Sequence, residues 1–362
     1  MAGPLKGLTI VEMAGIGPAP FAAMMLADHG AEVIRVEREG LIGIPGDPLL
    51  RSRRSIALDL KAEAARGIVR KLAARADGLI EGYRPGVMER LGLGPDKLLG
   101  DNPKLVYGRV TGWGQEGPLA AAAGHDIDYL AISGLLHGIG PRERPVVPIN
   151  YLADFAGGGM LLAFAMVSAL LAVRGGGEGQ VVDCAMSDGA ALIGALTYGM
   201  RAAGLCNDER ESNLLDGGAA FYGIYECSDG RFLAVGALEP QFREALFNGL
   251  GLAADAGREE VAGAIATRSR DEWVAHFAGL DACVAPVLSL GEAPEHLHNK
   301  ARGTFVRTGG VVQPGPAPRW SATPVDEPMP PRPPGADGAD ILGDLGYSAA
   351  EIASLRREGA LF

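Results

Sequence analysis

Short apolar segments of strand length alternate with helix-length segments through the first 111 residues, and this alternation limits the possible folds more than any other feature of the sequence. Five strands are predicted at residues 8–12, 32–37, 55–60, 77–81 and 105–111, with helices at 18–29, 63–74 and 87–91 between them. Strands and helices in this order form a mostly parallel sheet that carries helices on its faces. The sequence therefore predicts an α/β fold.

A second, smaller domain is predicted beyond residue 200. Residues 219–227 and 231–235 have the pattern of an antiparallel strand pair, with a turn at residues 228–230. Helices are predicted around residues 241–249, 258–266 and 270–278, which makes this an α+β domain. Residues 326–339 are rich in proline and are expected to be extended. The role of this tail stays open.

Charge and composition exclude several classes of partner. The net charge is −11 and no block of lysine and arginine stands out, which argues against nucleic acid or an anionic membrane as the main partner. The four cysteines (Cys184, Cys206, Cys227 and Cys283) fit no zinc or redox spacing, so no metal site is expected. The apolar stretch 161–173 is about a dozen residues long, too short to span a bilayer, and predicts a buried helix. With no recognisable targeting signal, a cytoplasmic protein is expected.

A histidine and an aspartate are the strongest candidates for chemistry. His125 lies in a Gly-His-Asp segment, and Asp154 precedes a glycine run and an apolar helix. Either side chain can hold or release a proton near neutral pH if its surroundings help. We expect the glycine run to let the backbone approach a ligand, and the amides at the start of the helix to stabilise negative charge. The simpler interpretations are a structural histidine and a helix N-cap.

A partial dinucleotide-binding fingerprint follows the first strand. Gly15 and Gly17 open the first predicted helix, and Glu37 ends the second strand. Pro20 stands where the third glycine belongs, and Pro18 removes a backbone donor, so a nicotinamide site is disfavoured. Cations instead follow successive strands, where open α/β sheets bind ligands. These candidates for a phosphate-bearing ligand are Arg38, Lys61, Arg84 and Arg90.

Ordered motifs along the chain resemble those of the racemases in family III of the CoA-transferases. The motifs lie at 14–18 (AGIGP), 81–86 (EGYRPG), 90–92 (RLG), 111–115 (TGWGQ), 124–126 (GHD) and 154–158 (DFAGG). The resemblance implies a large Rossmann-like domain from residues 1–200 and 300–362, a linker at 201–218 and a small α+β domain at 219–299. It also implies an interlocked homodimer with an acyl-CoA thioester at the subunit interface.

The resemblance also assigns residues to the site. His125 and Asp154 become the acid–base pair, Glu239 approaches the histidine, and Asn150 supports the pair. The implied CoA contacts are Arg38, Leu58, Asp59, Leu60, Lys61, Gly82, Tyr83, Arg84, Arg90, Gly124, Asp126, Ile127, Asp128 and Tyr129. Leu58 is bulkier than the residue expected near the nucleotide, and Asp128 replaces an amide that is often found there.

The implied reaction interconverts (R)- and (S)-2-methylacyl-CoA thioesters of lipid and fatty acid metabolism. We expect one base to remove a proton and the other to return a proton to the opposite face through an enolate, with the CoA thioester as substrate and no cofactor or metal. The alternative is a CoA-transferase in which Asp154 is the nucleophile and forms an acyl anhydride. A non-catalytic acyl-CoA-binding protein is a further possibility, and a nicotinamide-dependent oxidoreductase is the most remote one. The sequence leaves the preferred acyl chain open.

Overall fold

The computed structural model describes residues 2–40 and 44–362, which form two compact units. The first unit comprises Met1–Ser133, Ile149–Ile193 and Ala301–Phe362, and the second comprises Gly134–Pro148 and Gly194–Lys300. Residues 134–148 therefore group with the second unit, although they were expected in the large domain. Residues 201–218, which were expected to form a linker, group with the second unit.

The first unit is built on a six-stranded sheet in which every pair of neighbours is parallel. The strands are β1 (Thr9–Met13), β2 (Glu32–Glu37), β3 (Arg54–Ala57), β4 (Gly78–Glu81), β5 (Val106–Thr111) and β6 (Gln180–Ala185). Their order across the sheet is β3-β2-β1-β4-β5-β6, which is the Rossmann arrangement. The predicted α/β class is confirmed.

Helices surround the sheet and pack on it or on one another through their buried residues. These helices are α1 (Pro18–Asp28), α2 (Glu63–Arg75), α3 (Val87–Arg90), α4 (Pro95–Asp101), α5 (Asp126–Ile132), a π-helix (Tyr151–Met160), α6 (Leu161–Arg174) and α7 (Met186–Ile193). In α2, for example, Ala65, Ile68, Val69 and Leu72 recur at helical spacing and are buried, while the opposite side carries charge. Helix α4 was not predicted.

The π-helix and α6 form one continuous helical run, Tyr151–Arg174. The helix predicted over residues 161–173 is observed as α6, and the π-helix that continues it through the glycine run was not predicted. Within the described residues this is one segment that is long and apolar enough to cross a membrane, with 44% of its most apolar window buried. A core helix in a soluble protein passes the same test.

The end of the chain returns to the first unit. A hairpin of β10 (Phe305–Thr308) and β11 (Val311–Pro314) precedes the extended proline-rich segment. Two short helices, α13 (Gly338–Asp344) and α14 (Ala349–Arg357), then pack their apolar residues into the same core as Ile56 and Leu58. Leu361 pairs with Leu58 in an antiparallel bridge, so the last residues of the sequence lie beside the end of β3.

The second unit has its own core and a three-stranded antiparallel sheet in the order β7-β8-β9. Its elements are α8 (Ala195–Ala202), β7 (Tyr222–Glu226), β8 (Phe232–Gly236), α9 (Pro240–Leu250), α10 (Arg258–Ile265), α11 (Arg270–His276) and β9 (Val284–Pro286). Helix α12 (Leu297–Arg302) includes the point in the chain at which the second unit ends and the first unit resumes. The predicted hairpin is observed in β7 and β8, while β9 was not predicted.

Candidate active site

The site lies where the strand order reverses in the first unit. β1 and β4 are neighbours, yet their following connections lead to opposite sides of the sheet, which opens a crevice at their carboxyl ends. Two cavities occupy this region. One, of about 580 Å³, is lined by His125 and Asp154, and we call it the His–Asp cavity. The other, of about 530 Å³, is lined by Arg38 and Lys61, and we call it the Arg–Lys cavity.

Asp154 projects from the π-helix into the His–Asp cavity. Its Oδ2 accepts a hydrogen bond of 3.2 Å from Nδ2 of Asn150, four residues earlier. Burial raises the pKa of the Asp154 carboxyl. The Asn150 hydrogen bond opposes this increase, the neighbouring Asp126 raises the pKa further, and His125 lowers it. Asp154 is therefore easier to protonate than an exposed aspartate, which suits a group that must alternate between acid and base.

His125 stands at the N-cap position of α5 and is exposed to the cavity. Its backbone N–H donates to the Asp128 carboxylate over 2.9 Å, which fixes the chain at the start of the helix. The negative charge at Asp128, where an amide was expected, therefore has a structural use. Since His125 and Asp154 line one cavity and interact electrostatically, the structure brings the two candidate proton carriers together.

Asp126 fixes the segments that carry His125 and Asp154 relative to each other. Its carboxylate is buried, with the residue 5% exposed, and Oδ2 accepts from the backbone amides of Ala153 (2.7 Å) and Asp154 (2.8 Å). Oδ1 is also buried and has no hydrogen-bond partner among the described residues. Asp126 thus ties α5 to the π-helix. Because Asp126 occupies the amides of Ala153 and Asp154, those two N–H groups are engaged within the protein and are not available to a developing charge.

The glycine run serves packing and not ligand approach. Gly157, Gly158 and Gly159 are buried, and a Cβ on Gly158 would lie 2.9 Å from Met186 and 3.0 Å from Pro18. A Cβ on Gly189 of α7 would lie 1.9 Å from the carbonyl oxygen of Gly157. The glycines let the π-helix approach α1 and α7 more closely than side chains allow, and this contact fixes the position of Asp154.

An aromatic pair forms one wall of the His–Asp cavity. The rings of Trp113 and Tyr129 meet edge to face with centroids 4.8 Å apart, and the Tyr129 hydroxyl donates to the carbonyl of Gly124. A Cβ on Gly112 or Gly124 would lie within 3.0 Å of these rings. Burial, with the Asp154 and Asp128 charges, raises the pKa of Tyr129 to about 12. Tyr129 is therefore a neutral hydrogen-bonding wall residue across the working pH range.

The residues implied as CoA contacts fall into three groups. Arg38, Leu58, Asp59, Leu60, Lys61 and Tyr83 line the Arg–Lys cavity. Gly82, Tyr83, Arg84, Gly124 and Tyr129 line the His–Asp cavity. Arg90, Asp126, Ile127 and Asp128 are not among the described residues that line either cavity. Because Tyr83 lines both cavities, the two adjoin, and a single extended ligand can occupy them together.

Glu239 belongs to the second unit, where it is exposed and occupies the N-cap position of α9. Its approach to His125 stays a prediction. The partial dinucleotide fingerprint has a structural explanation of its own. Glu37 is buried, and its carboxylate accepts from the Arg35 guanidinium (3.3 Å) and from the Ser55 hydroxyl, so it is engaged inside the protein.

Sequence reasoning missed several lining residues. Trp113 lines the His–Asp cavity, and Val87, Leu91 and Phe362 line the Arg–Lys cavity. Trp113 sits in the quoted TGWGQ motif, so the sequence did contain a signal for it. Nothing in the local pattern around Phe362 indicates a site, because its position depends on pairing with residues about 300 positions earlier.

Comparisons with known proteins identify the family. The model of CoA-transferase family III matches residues 5–338. The chain is 44% identical to alpha-methylacyl-CoA racemase of Mus musculus over 98% of this chain and 96% of the mouse protein, and 42% identical to the Homo sapiens protein of that name over the same shares. Succinyl-CoA:glutarate CoA-transferase of Mus musculus is 30% identical over 99% of this chain and 90% of that protein.

Solved structures give the same result. The crystal structure of a CAIB/BAIF family protein from Brucella suis matches with a TM-score of 0.81 at 26% identity, covering 95% of this chain and all of that one. With its Rossmann strand order and its match to the family model, the chain belongs to CoA-transferase family III. The resemblance inferred from the sequence motifs is confirmed.

Proposed function

We propose that the protein interconverts the (R)- and (S)-enantiomers of 2-methylacyl-CoA thioesters. The observation that carries this proposal is the placement of His125 and Asp154 in one cavity at the strand-order reversal. The names of the mouse and human relatives support the same reaction. A CoA thioester is the substrate, and we propose that neither a cofactor nor a metal takes part.

The reaction needs one proton removed from C2 and another delivered to the opposite face. In one direction the Asp154 carboxylate takes the proton while the His125 imidazolium donates, and in the other direction the roles exchange. The raised pKa of Asp154 makes its carboxylate a stronger base than an exposed one. Asn150 positions the carboxylate by its hydrogen bond to Oδ2. We assign to Glu239 the role of orienting His125.

The enolate oxygen needs donors that are not already used. The first amides of a helix have no intrahelical acceptor, and those of α5 belong to Asp126 and Ile127, immediately after His125. We assign the stabilisation of the developing charge to these two amides. Backbone donors fixed in this way stabilise charge that develops in the transition state.

The rest of the thioester extends into the Arg–Lys cavity. Arg38 and Lys61 are exposed cations at this cavity, suited to the phosphates of CoA, and Arg84 lies between them and the reacting centre in our arrangement. Leu58, Leu60 and the Tyr83 ring supply apolar surface. The carboxylate of Asp59 accepts from the Lys61 amide over 3.0 Å, so it shapes the turn that presents Lys61. Arg90 remains an outer contact in this proposal.

A homodimer in the cytoplasm completes the proposal. The α6 side chains of Phe164 and Leu171 are 70% and 72% exposed, and Met160 adds to the same apolar stretch. An apolar helix face of this kind favours burial against a second copy of the chain. The family resemblance makes that dimer interlocked. Sedimentation equilibrium measures its mass, and a monomer at micromolar concentration would contradict it.

The second candidate function is CoA transfer. It is supported by a relative, 30% identical to this chain, that is named as a CoA-transferase. There, Asp154 attacks the thioester carbonyl, thiolate leaves, and an acyl anhydride forms on the carboxylate. Burial of Asp154 beside Asn150 is compatible with either chemistry. His125 favours racemisation, because a nucleophilic mechanism does not require a second proton carrier at the α-carbon.

One experiment separates the two functions. A single enantiomer of a 2-methylacyl-CoA is incubated with the protein in deuterated water, without any second carboxylic acid. We expect deuterium at C2 together with loss of optical purity. Retention of hydrogen and of configuration, with CoA moving to an acid when one is added, would establish the transferase and overturn our proposal.

A further inference from the structure

The last residues of the sequence are held against the Arg–Lys cavity by backbone pairing and by core packing. The Asp59 amide donates to the Ala360 carbonyl over 3.2 Å, and the Phe362 amide donates to the Ala57 carbonyl over 3.1 Å. Ala360 and Leu361 are buried in the same core as Leu58. This segment therefore forms an isolated antiparallel bridge just after β3, held by two backbone hydrogen bonds and by the core.

Phe362 differs from its buried neighbours because it is 42% exposed and lines the Arg–Lys cavity. Leu58, Leu60, Val87 and Leu91 line the same cavity. An aromatic side chain on a fixed backbone offers a flat apolar face at little conformational cost. Helices α13 and α14 pack against the large core and bring the following residues, 360–362, to the Arg–Lys cavity.

We propose that the Phe362 ring stacks on the adenine of the bound acyl-CoA and contributes to its affinity. This inference rests on the proposed function, because it needs a CoA thioester across both cavities. The reacting carbon has to lie near His125 and Asp154, so the opposite end of the molecule reaches the Arg–Lys cavity. Arg38 and Lys61 then face the phosphates, and the adenine next to those phosphates meets the aromatic ring.

Removing an aromatic side chain on which a base stacks weakens binding by roughly 1–3 kcal/mol. Since Phe362 lines the cavity with an exposed aromatic side chain, we expect Phe362→Ala to weaken binding about fivefold or more. The backbone contacts of residue 362 do not depend on its side chain, so Phe362→Ala retains them. Phe362→Leu serves as a second variant that keeps an apolar side chain but removes the aromatic face.

The test is calorimetric titration of the full chain with coenzyme A and, separately, with pantetheine, which lacks the adenine nucleotide. Phe362→Ala should bind coenzyme A at least about fivefold more weakly and pantetheine equally well, and Phe362→Tyr should restore the affinity. In turnover, KM for 2-methylacyl-CoA should rise while kcat stays unchanged. Leu290→Ala, which truncates an exposed apolar side chain outside both cavities, is the matched control and should change neither affinity.

The outcomes are distinguishable. Wild-type protein that does not bind coenzyme A overturns the proposed function and this inference with it. Wild-type protein that binds and racemises, together with a Phe362→Ala variant of unchanged coenzyme A affinity, overturns the inference alone. Equal losses for coenzyme A and pantetheine also overturn it, because they show a general disturbance and not contact with the adenine. If Phe362→Ala unfolds, Phe362→Leu must give the selective loss.

Discussion

The two cavities of the first unit adjoin at Tyr83, yet they are built differently. The His–Asp cavity depends on buried, directional contacts, in which Asp126 fixes two amides and glycines allow helices to meet. The Arg–Lys cavity has flexible cations and apolar side chains. A reaction at one carbon needs atoms held to fractions of an ångström, whereas binding a nucleotide distributes its energy over many contacts. Substitutions should therefore reduce activity strongly in the His–Asp cavity and only weakly in the Arg–Lys cavity.

The largest effect should come from Asp154→Asn. The amide keeps the shape of the side chain but cannot exchange a proton, so we expect racemisation to fall about 10³-fold, in keeping with the loss of a general acid–base group. Circular dichroism should show an unchanged fold, and calorimetry should show unchanged affinity for coenzyme A. Inversion within tenfold of the wild-type rate would remove Asp154 from the mechanism.

The packing of the π-helix should be the next most sensitive feature. Gly189→Ala places a Cβ against the Gly157 carbonyl, and overpacking of this kind lowers the free energy of unfolding by about 3 kcal/mol. Activity should fall with it, because the π-helix carrying Asp154 must shift. Denaturant unfolding measures the first effect and racemisation the second.

Gly67→Ala is the matched control for that packing test. Gly67 lies inside α2, and a Cβ at this position would point into open space, so alanine should raise stability by about 0.5–1 kcal/mol. Equal effects of the two substitutions would show that close helix contact is not what the glycine run provides.

The coupling through Asp126 should appear in the pH profile. The Asp126 charge raises the pKa of Asp154, so Asp126→Asn removes a repulsion and lowers that pKa. As the pH falls, the Asp154 carboxylate should then persist to lower pH, and the acidic limb of the kcat profile should move in the same direction. Asp188→Asn removes an exposed charge of the same sign as a control. An acidic limb that moves upward or stays in place would contradict the coupling.

The smallest effect should come from Lys61→Ala in the Arg–Lys cavity. An exposed cation contributes little to binding, so we expect KM for the acyl-CoA to rise about threefold with kcat unchanged. The difference should diminish at high salt, where exposed charges are screened. A loss of kcat comparable to that of Asp154→Asn would erase the distinction between the two cavities.

The sequence predicted much of this architecture because local signals were sufficient for it. Strand β2 was predicted with its observed bounds, Glu32–Glu37, because Val33, Ile34 and Val36 form a short apolar segment directly after a helix stop. The sequence pattern of residues 187–201 predicts one helix, whereas the structure has two, α7 and α8, with Gly194 between them in the chain. A single glycine inside an apolar pattern does not reveal a break.

The sequence identified which residue types form the site, but it did not reveal which residues contact one another there. His125 and Asp154 were selected correctly as two side chains of one cavity. Asp126 was named only as a CoA contact, and the bond from its carboxylate to the Asp154 amide was not predicted. The glycine run was assigned to ligand approach and instead packs helices. Phe362 was missed altogether. Each of these depends on partners distant in the chain, which local pattern cannot supply.

The most direct test of the two-carrier mechanism measures hydrogen exchange at C2 separately for each enantiomer in the His125→Ala and Asp154→Asn variants. With one carrier on each face of the carbon, each variant should lose inversion yet keep deuterium exchange for a single enantiomer, and the two variants should keep opposite ones. Exchange of both enantiomers by either variant, or of the same enantiomer by both, would contradict two proton carriers on opposite faces.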